Sequence, residues 1–126
     1  MGNIERFDEL VTKTFLDCSN ILKAKGADYA GNKDRYANFK RNAELLGLTK
    51  YQVWSVYFNK HVDSLLNAVK ENPETPETHS EAIGERVKDI INYALLFYGM
   101  IEEDKLNIND EEWVLSIRQI FRNIKK

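Results

Sequence analysis

Residues 81–100 read EAIGERVKDIINYALLFYGM, and this stretch decides the fold. From Ile90 onward it is apolar on nearly every side of a helix, which predicts a helix buried in the interior of the protein. Asp89 and Asn92 lie one helical turn apart inside it, and buried polar groups need partners. These two side chains therefore either hold helices together or line a polar pocket in a helical bundle.

Length, charge and cysteine content are those of an ordinary globular chain. The 126 residues are enough for one domain, so we expect a single domain over residues 1–126. A formal net charge of −2 gives no general attraction to nucleic acid or to anionic membranes. Cys18 is the only cysteine, which fits a reducing compartment. Neither a signal segment nor a membrane-spanning run is visible, so we expect a cytoplasmic protein without a membrane partner.

Apolar residues recur at steps of three and four along most of the chain, which is the period of amphipathic helices. Gly26 is expected to end the first helix, and the Gly-, Asn- and Asp-rich residues 26–38 are expected to form a long loop. Gly47 should close a short helix, and Thr49 and Ser80 should be N-caps. The predicted helices cover residues 4–25, 39–46, 50–70, 81–103 and those from about 110 onward. The chain is therefore predicted to be an all-α bundle of four main helices plus one short helix.

Three of the predicted helices carry a clear apolar face. In the first helix this face consists of Ile4, Phe7, Val11, Phe15, Cys18 and Leu22. In the third helix the face predicted to be buried consists of Trp54, Tyr57, Phe58, His61, Val62, Leu65, Leu66 and Val69. In the last helix it consists of Trp113, Ile117, Ile120, Phe121 and Ile124. Cys18 is expected to pack in the core rather than to react.

Carboxylates on two predicted helices are placed so that they could share a metal ion. Glu85 and Asp89 are four residues apart and lie on one stripe of a helix. If the third and fourth helices pack antiparallel, Asp63 can face both of them. Helical bundles hold Mg²⁺ with carboxylates from neighbouring helices. Asp63, Glu85 and Asp89 are therefore a candidate magnesium site, and pairing with Arg86, Lys88 and solvent is the alternative.

This spacing is similar to that of the all-α nucleoside triphosphate pyrophosphatases of the MazG and dimeric dUTPase type. Those proteins pair an ExxE box with a later ExxD box. Here the first box would read KHVD at residues 60–63, and Arg86 stands three residues before Asp89. Each half therefore has a cation where a carboxylate is expected. The resemblance implies a magnesium-dependent pyrophosphohydrolase-like activity with a reduced set of metal ligands.

A closer resemblance extends over most of the chain. The sequence KGADY at residues 25–29 is a KxxDY-type motif, and the later helix carries DxxNY as DIINY at residues 89–93. In this order and at this separation the two motifs resemble the nucleotide modification associated domain family of small phage proteins. One departure is Ala30 in place of a common Gly, with Gly31 next. The resemblance implies a phage or prophage origin and a link to nucleotides.

The segment at residues 26–38 offers groups for both a phosphate and a base. Six cations surround it, namely Lys23, Lys25, Lys33, Arg35, Lys40 and Arg41. Cations hold phosphates, and rings such as those of Tyr29, Tyr36 and Phe39 stack on bases. The alternative is a solvated loop whose aromatic residues pack in the core.

The first functional hypothesis is a phage-type protein that binds a nucleotide or a nucleotide-derived small molecule in a polar pocket. The pocket would lie between this loop and the third and fourth helices, and the protein would process its ligand with Mg²⁺ or sequester it. Arg86 is either an ion-pair partner or a phosphate anchor, and Lys60 either extends to water or pairs with a carboxylate. The predicted ligand-binding residues are Lys25, Asp28, Tyr29, Asn38, Lys60, Arg86, Asp89 and Asn92.

The second hypothesis is a non-enzymatic interaction protein, such as a phage inhibitor of a host defence complex. It rests on the abundance of aromatic residues and on the amphipathic last helix, because exposed aromatic side chains are common anchors of protein interfaces. The residues concerned are Trp54, Tyr57, Phe58, Trp113 and Phe121. Under both hypotheses a homo-oligomer is expected, since short helices leave apolar surface to cover.

Overall fold

The computed structural model describes residues 2–29, 34–106 and 110–125. These residues form five α-helices and contain no strand. The helices are α1 (Asn3–Tyr29), α2 (Ala37–Leu46), α3 (Lys50–Glu71), α4 (Ile83–Leu106) and α5 (Asp110–Lys125). The prediction of an all-α protein with four main helices and one short one is confirmed. No helix of the described part combines the length and the apolar character needed to cross a membrane.

The predicted end of the first helix is wrong. α1 continues through Gly26 to Tyr29, and α2 begins at Ala37, so the predicted loop at residues 26–38 is much shorter than expected. Gly26 is buried, and a Cβ atom there would overlap the guanidinium group of Arg35. Glycine is needed at this position for the close approach of another segment, not for a left-handed helix end. Residues 30–33 of the predicted loop lie outside the described residues.

The predicted junction between α2 and α3 is confirmed. Gly47 ends α2 in the left-handed conformation, with φ of 69°, and its N–H donates to the carbonyl of Ala43. Thr49 begins α3 with a capping box, in which its hydroxyl accepts from the N–H of Gln52 while the Gln52 side chain accepts from the N–H of Thr49. The two caps fix the turn that lays α2 against α3.

The predicted start of α4, with Ser80 as its N-cap, is wrong by two residues. Ser80 and Glu81 precede the helix, and the carbonyl of Ala82 accepts the first N–H groups, from Glu85 and Arg86. Glu81 is drawn into other contacts: its carbonyl accepts from the Thr78 hydroxyl, and its carboxylate pairs with Arg86. These contacts keep Glu81, which was predicted to lie in the first turn, outside the helix. α4 therefore begins at Ile83.

α4 is the central helix of the fold, and α1 and α3 pack on it, while α2 packs on α3. The core consists of Tyr36, Phe39, Ala43, Val53 and Met100. The prediction that α4 is buried on all sides after Ile90 is wrong in part, because Leu95 and Tyr98 are exposed. The described helices that surround α4 do not cover its whole circumference.

The other predicted apolar faces are also only partly covered. On α3, Val53 and Ala68 are buried, whereas Tyr57, Leu66 and Val69 of the predicted face are exposed. On α1, Cys18 is buried as predicted, and burial raises the pKa of its thiol. Toward the N-terminus of α1, Val11 is half-buried, whereas Ile4, Phe7 and Phe15 of the predicted face stay exposed. The chain therefore presents more apolar surface than its sequence pattern led us to expect.

Candidate ligand-binding site

The C-terminal part of α1, the start of α2, α3 and α4 enclose a pocket of about 300 Å³, which we call the Asn92 pocket. Its charged and polar lining residues are Lys25, Arg35, Asn38, Asp89 and Asn92. Its other lining residues are Leu22, Gly26, Phe39, Tyr57, Tyr93 and Leu96. The structure thus brings together four of the predicted ligand-binding residues from three separate helices. A mostly apolar cavity with a few convergent polar groups is the usual form of a small-molecule site.

Asn92 is the least solvated polar residue of this pocket. Its residue is 5% exposed, and its Oδ1 has no hydrogen-bond partner within the described part of the chain. An acceptor left unpaired in the interior costs about 1–3 kcal/mol, which most proteins avoid. The atom has less than 1 Å² of accessible surface, so a ligand N–H group in the pocket reaches it when the Asn92 side chain turns toward the cavity.

Asp89 lies one turn before Asn92, and its carboxylate is surrounded by nitrogen atoms. Its side chain is 15% exposed, and Oδ1 is 3.6 Å from Lys25 Nζ. Oδ2 is 3.6 Å from Nδ1 of His61 and 4.0 Å from Nη1 of Arg86. These three separations exceed a hydrogen-bond length. The carboxylate is therefore attracted by the charges of Lys25 and Arg86 without being tightly bonded to either.

His61 is neutral in this arrangement, and a hydrogen bond fixes its tautomer. Nη1 of Arg86 lies 2.6 Å from His61 Nδ1. Because a guanidinium group can only donate, Nδ1 accepts and the ring proton is on Nε2. Burial lowers the pKa of His61 and nearby Arg86 lowers it further, while Asp89 opposes them. The approach of His61 to Asp89 is therefore a contact with a neutral ring at pH 7 and not an ion pair.

Arg86 is held by protein groups on the side of α4 next to the pocket. The residue is 9% exposed, and its Nη2 lies 3.1 Å from Oε1 of Glu81. With Nη1 on His61, both terminal nitrogens are engaged, and only the buried Nε lacks a partner among the described residues. Of the two roles that the sequence left open, these contacts favour the structural ion pair.

An aromatic wall closes one side of the Asn92 pocket. The ring of Phe39 lies 6.3 Å from that of Tyr57 and 6.1 Å from that of Tyr93, and Tyr57 and Tyr93 are 6.5 Å apart, centroid to centroid. Trp54 fixes the backbone behind this wall, because its Nε1 donates to the Tyr93 carbonyl at 2.7 Å. Such a wall offers flat apolar contact to a ring of a ligand.

Two cations border the same pocket. Lys25 reaches it from α1 with a side chain that is 57% exposed. Arg35 crosses α1 where Gly26 leaves room, and its Nη1 donates to the Leu22 carbonyl at 2.6 Å. The exposed Lys25 side chain can therefore move toward a ligand, whereas the Arg35 side chain is held by its hydrogen bond to the backbone.

A second pocket, which we call the Lys60 pocket, lies between α3, the segment that connects α3 to α4, and the start of α4. Its volume is about 600 Å³. Its lining residues are Val56, Asn59, Lys60, Asp63, Ser64, Asn67, Ala68, Glu71, Glu77, Thr78, His79, Ser80 and Arg86. The single pocket predicted for Lys60, Asp63, Arg86, Asp89 and Asn92 is thus divided, and this prediction is corrected by the structure. Asp89 and Asn92 open to one side, and the other three to the other side.

The predicted magnesium ligands are not assembled. Among the described residues, no three His, Cys, Asp or Glu side chains form a group that could hold a metal ion. Asp63 lines the Lys60 pocket, Asp89 lines the Asn92 pocket, and Glu85 accepts from Lys88 at 3.1 Å. The cations of α4 account for this, since Lys88 and Arg86 alternate with the carboxylates along the helix.

The remaining residues that the sequence predicted to contact a ligand are Asp28, Tyr29 and Tyr36. Asp28 is exposed and does not line the Asn92 pocket. The side chain of Tyr29 lies outside the described part. Tyr36, expected as a possible stacking ring, lies in the core with its hydroxyl against Gly99, and burial raises its pKa to about 12.

The sequence pattern missed most of the aromatic wall. Tyr57 had been assigned to a buried face, and Tyr93 had been identified as the last residue of the DIINY motif. One signal was available: Tyr57 and His61 are four residues apart on α3, as are Asp89 and Tyr93 on α4. Two neighbouring helices with such pairs can bring rings and polar groups to one place.

The described geometry can next be set against known proteins. Neither protein-family models, nor curated proteins, nor solved structures give a match to this chain. The functional conclusion therefore rests on the pocket itself and on the motif resemblance.

Proposed function

We propose that this protein binds a nucleotide, or a small molecule derived from one, in the Asn92 pocket. The observation that carries the proposal is the buried and unpaired Oδ1 of Asn92 beside an aromatic wall. A folded chain that keeps a costly unpaired acceptor in a cavity is explained if a ligand supplies the donor.

The base is the part of the ligand that suits the inner end of the pocket. Oδ1 of Asn92 accepts an N–H group of the base, and the Asp89 carboxylate, one turn earlier, accepts a neighbouring one. The face of the base lies against the rings of Phe39, Tyr57 or Tyr93, where stacking contributes about 1–3 kcal/mol. A base that presents two adjacent N–H donors fits this pair of acceptors best.

The phosphate is the part that suits the cations at the border of the pocket. Lys25 Nζ is 3.6 Å from Asp89 in the ligand-free chain, which is long for an ion pair, so a phosphate can compete for the lysine. Arg35 adds a second positive charge from a fixed position. A volume of about 300 Å³ suits one nucleoside with its phosphate at the open end.

The resemblance of KGADY and DIINY to a nucleotide-linked phage family supports the same proposal. On the same basis we propose that the protein is of phage type. Whether the ligand is processed or sequestered depends on a metal. Mg²⁺ is commonly bound by one or two carboxylates together with phosphates of the substrate. Asp89 is the carboxylate of the Asn92 pocket that would take this part.

Isothermal titration of the purified protein with a set of nucleosides, nucleoside monophosphates and nucleoside triphosphates, with and without Mg²⁺, tests the proposal. We expect saturable binding of at least one monophosphate, and binding of the matching nucleoside that is weaker by about tenfold or more because the charge-assisted contacts are lost. Chromatography of the incubated ligand separates processing from sequestration. Absence of binding by every nucleotide at millimolar concentration contradicts the proposal.

A second candidate function is favoured by a different observation. The apolar residues that stay exposed on α1 and α5 are those expected of an interaction protein, such as an inhibitor of a host defence complex. The two functions separate in one experiment. Partner capture that survives substitution of Lys25 and Asn92, in a protein that binds no nucleotide, favours the interaction protein.

A further inference from the structure

The folded chain exposes more surface than a compact monomer of its size. Its accessible surface is 9513 Å² for a mass of 14.7 kDa. Monomeric proteins of this mass expose about 6,900 Å², so the excess is about 2,600 Å². Standard protein interfaces bury about 800 Å² on each partner, and those of obligate dimers about 1,000–2,500 Å² on each partner. The excess is therefore of the size that a permanent interface would cover.

One part of this excess lies on the N-terminal half of α1. The apolar stripe of α1 continues along the whole helix, but α4 covers only its C-terminal half, around Cys18 and Leu22. Toward the N-terminus Ile4, Phe7 and Phe15 are each more than half exposed. The stripe thus continues from a formed contact onto an open surface.

Acidic residues flank the open half of this stripe. Glu5 and Asp8 are exposed and, at about 100° per residue, lie along one edge of it. The open half of α1 is therefore an apolar strip with a negative edge.

Another part of the excess lies on α5. Ile120, Phe121 and Ile124 share one face of this helix, and each is more than half exposed. At about 100° per residue exposed Arg118 lies beside the same face, whereas Arg122 lies near Leu115 on the opposite side of the helix. α5 takes no part in the three main helix pairs among the described residues. This helix is therefore an apolar strip with a positive edge.

We propose that the protein is a two-fold homodimer in which α5 of each chain packs antiparallel against the N-terminal half of α1 of the other chain. One two-fold operation then covers both strips of both chains. The lengths match, since the 16 residues of α5 extend about 24 Å and the open half of α1 about 20 Å.

Charge selects this pairing over the alternatives. In an antiparallel pair, corresponding edges of the two helices meet, so Glu5 and Asp8 come beside Arg118. Packing α1 on α1 or α5 on α5 would instead bring like charges together, which is unfavourable. The occupant of each strip is therefore the other strip, on a second copy of the chain.

Sedimentation velocity of the full chain tests the dimer, with Phe121→Asp and Leu115→Asp as a matched pair. Both positions lie on α5 and have similar exposure, 58% and 50%, but Leu115 lies off the apolar face. We expect twice the chain mass for the wild type and for Leu115→Asp. We expect the single-chain mass of 14.7 kDa for Phe121→Asp, with unchanged helical circular dichroism. A monomeric wild type, or a Phe121→Asp protein that remains dimeric, overturns the proposal.

A charge exchange tests which helices meet. Arg118→Glu should raise the dimer dissociation constant about tenfold or more, and so should reversal of Glu5 and Asp8 to Lys. Combining both reversals in one chain should restore dissociation within about threefold of the wild type. A combined variant that dissociates as readily as either reversal alone shows that α1 and α5 do not meet, and it overturns the proposed pairing.

Discussion

The Asn92 pocket and the Lys60 pocket are lined on α4 by residues one turn apart, Asp89 and Arg86, and they differ in what their polar groups have left to bind. The Lys60 pocket is the larger, at about 600 Å³ against 300 Å³. However, both terminal nitrogens of Arg86 are bonded there, to His61 and Glu81, so that only its buried Nε is unpaired among the described residues, and His79 is 2.7 Å from Glu71. The smaller pocket holds the unpaired oxygen of Asn92 and the loosely paired Asp89.

This difference indicates that unsatisfied polar groups identify a ligand site better than the volume of a pocket or the number of its charged residues does. Arg86 and Asp89 are one turn apart, yet the first stabilises the helix pair and the second faces the cavity. Substitutions in and near both pockets, and one change of pH, test this difference.

The largest effect is expected for Arg86→Ala. The substitution leaves His61 without its donor and Glu81 without its cation, so we expect the free energy of unfolding to fall by about 2–3 kcal/mol, the lower end for a buried pair because Glu81 is partly exposed. Urea denaturation at one protein concentration measures it. Lys60→Ala, at an exposed position of the same pocket, should change stability by less than about 0.5 kcal/mol. Equal effects of the two substitutions would show that Arg86 has no special structural role.

The second-largest effect is expected for ligand affinity, which shows which of the two pockets the ligand occupies. Lys25→Ala should weaken binding of a nucleoside monophosphate about 10- to 100-fold, because a charge-assisted contact to phosphate is lost. Lys60→Ala should change the dissociation constant by less than about twofold, since Lys60 lines the other pocket. Isothermal titration of both variants measures this. If Lys60→Ala is the more damaging, the ligand occupies the Lys60 pocket.

A smaller effect is expected for Gly26→Ala. The added Cβ displaces the guanidinium group of Arg35 from the Leu22 carbonyl, and we expect affinity to fall about three- to tenfold. Stability should hardly change, because alanine favours the helix by about 1 kcal/mol while one hydrogen bond is lost. Gly84→Ala is the control, since a Cβ there meets no described atom within 4 Å. If both variants bind the nucleotide equally well, Arg35 makes no contact with it, and that part of the proposal is wrong.

The smallest effect is a pH dependence of stability through His61. Burial lowers its pKa in the folded chain, so below about pH 6.5 the unfolded chain binds a proton that the folded chain does not. Stability is therefore fully present above that pH and declines as the pH falls toward the lowered folded pKa. Melting temperatures between pH 7.5 and 5.5 measure the slope, which His61→Gln should reduce. An unchanged slope in His61→Gln would assign it to other groups.

Much of the fold could be predicted from local patterns. The capping box at Thr49, the left-handed Gly47 and the apolar periods identify helices because each depends on a few neighbouring residues. The errors at Gly26 and Ser80 have a different origin. Both depend on partners distant in sequence or on competing side-chain contacts, namely Arg35 against Gly26 and Arg86 with Glu81.

The site could be predicted in part for the same reason. Lys25, Asn38, Asp89 and Asn92 were identified from motifs, and the structure brings them to one pocket. The assignment of Lys60 and Asp63 to that pocket could not be checked from periodicity, because it depends on how α3 is rotated against α4. The identity of the unpaired group could not be foreseen at all, since it requires knowledge of every neighbour of Asn92.

The most direct test of the central claim is the substitution Asn92→Leu, measured in two ways on the same protein. Leucine has a similar volume and removes the unpaired oxygen, so the ligand-free protein should gain about 1 kcal/mol of stability. Nucleotide affinity should fall about tenfold or more, because the acceptor for the base is gone. A protein that is less stable and binds nucleotide as well as the wild type would contradict the account, because Asn92 would then serve the fold and not a ligand.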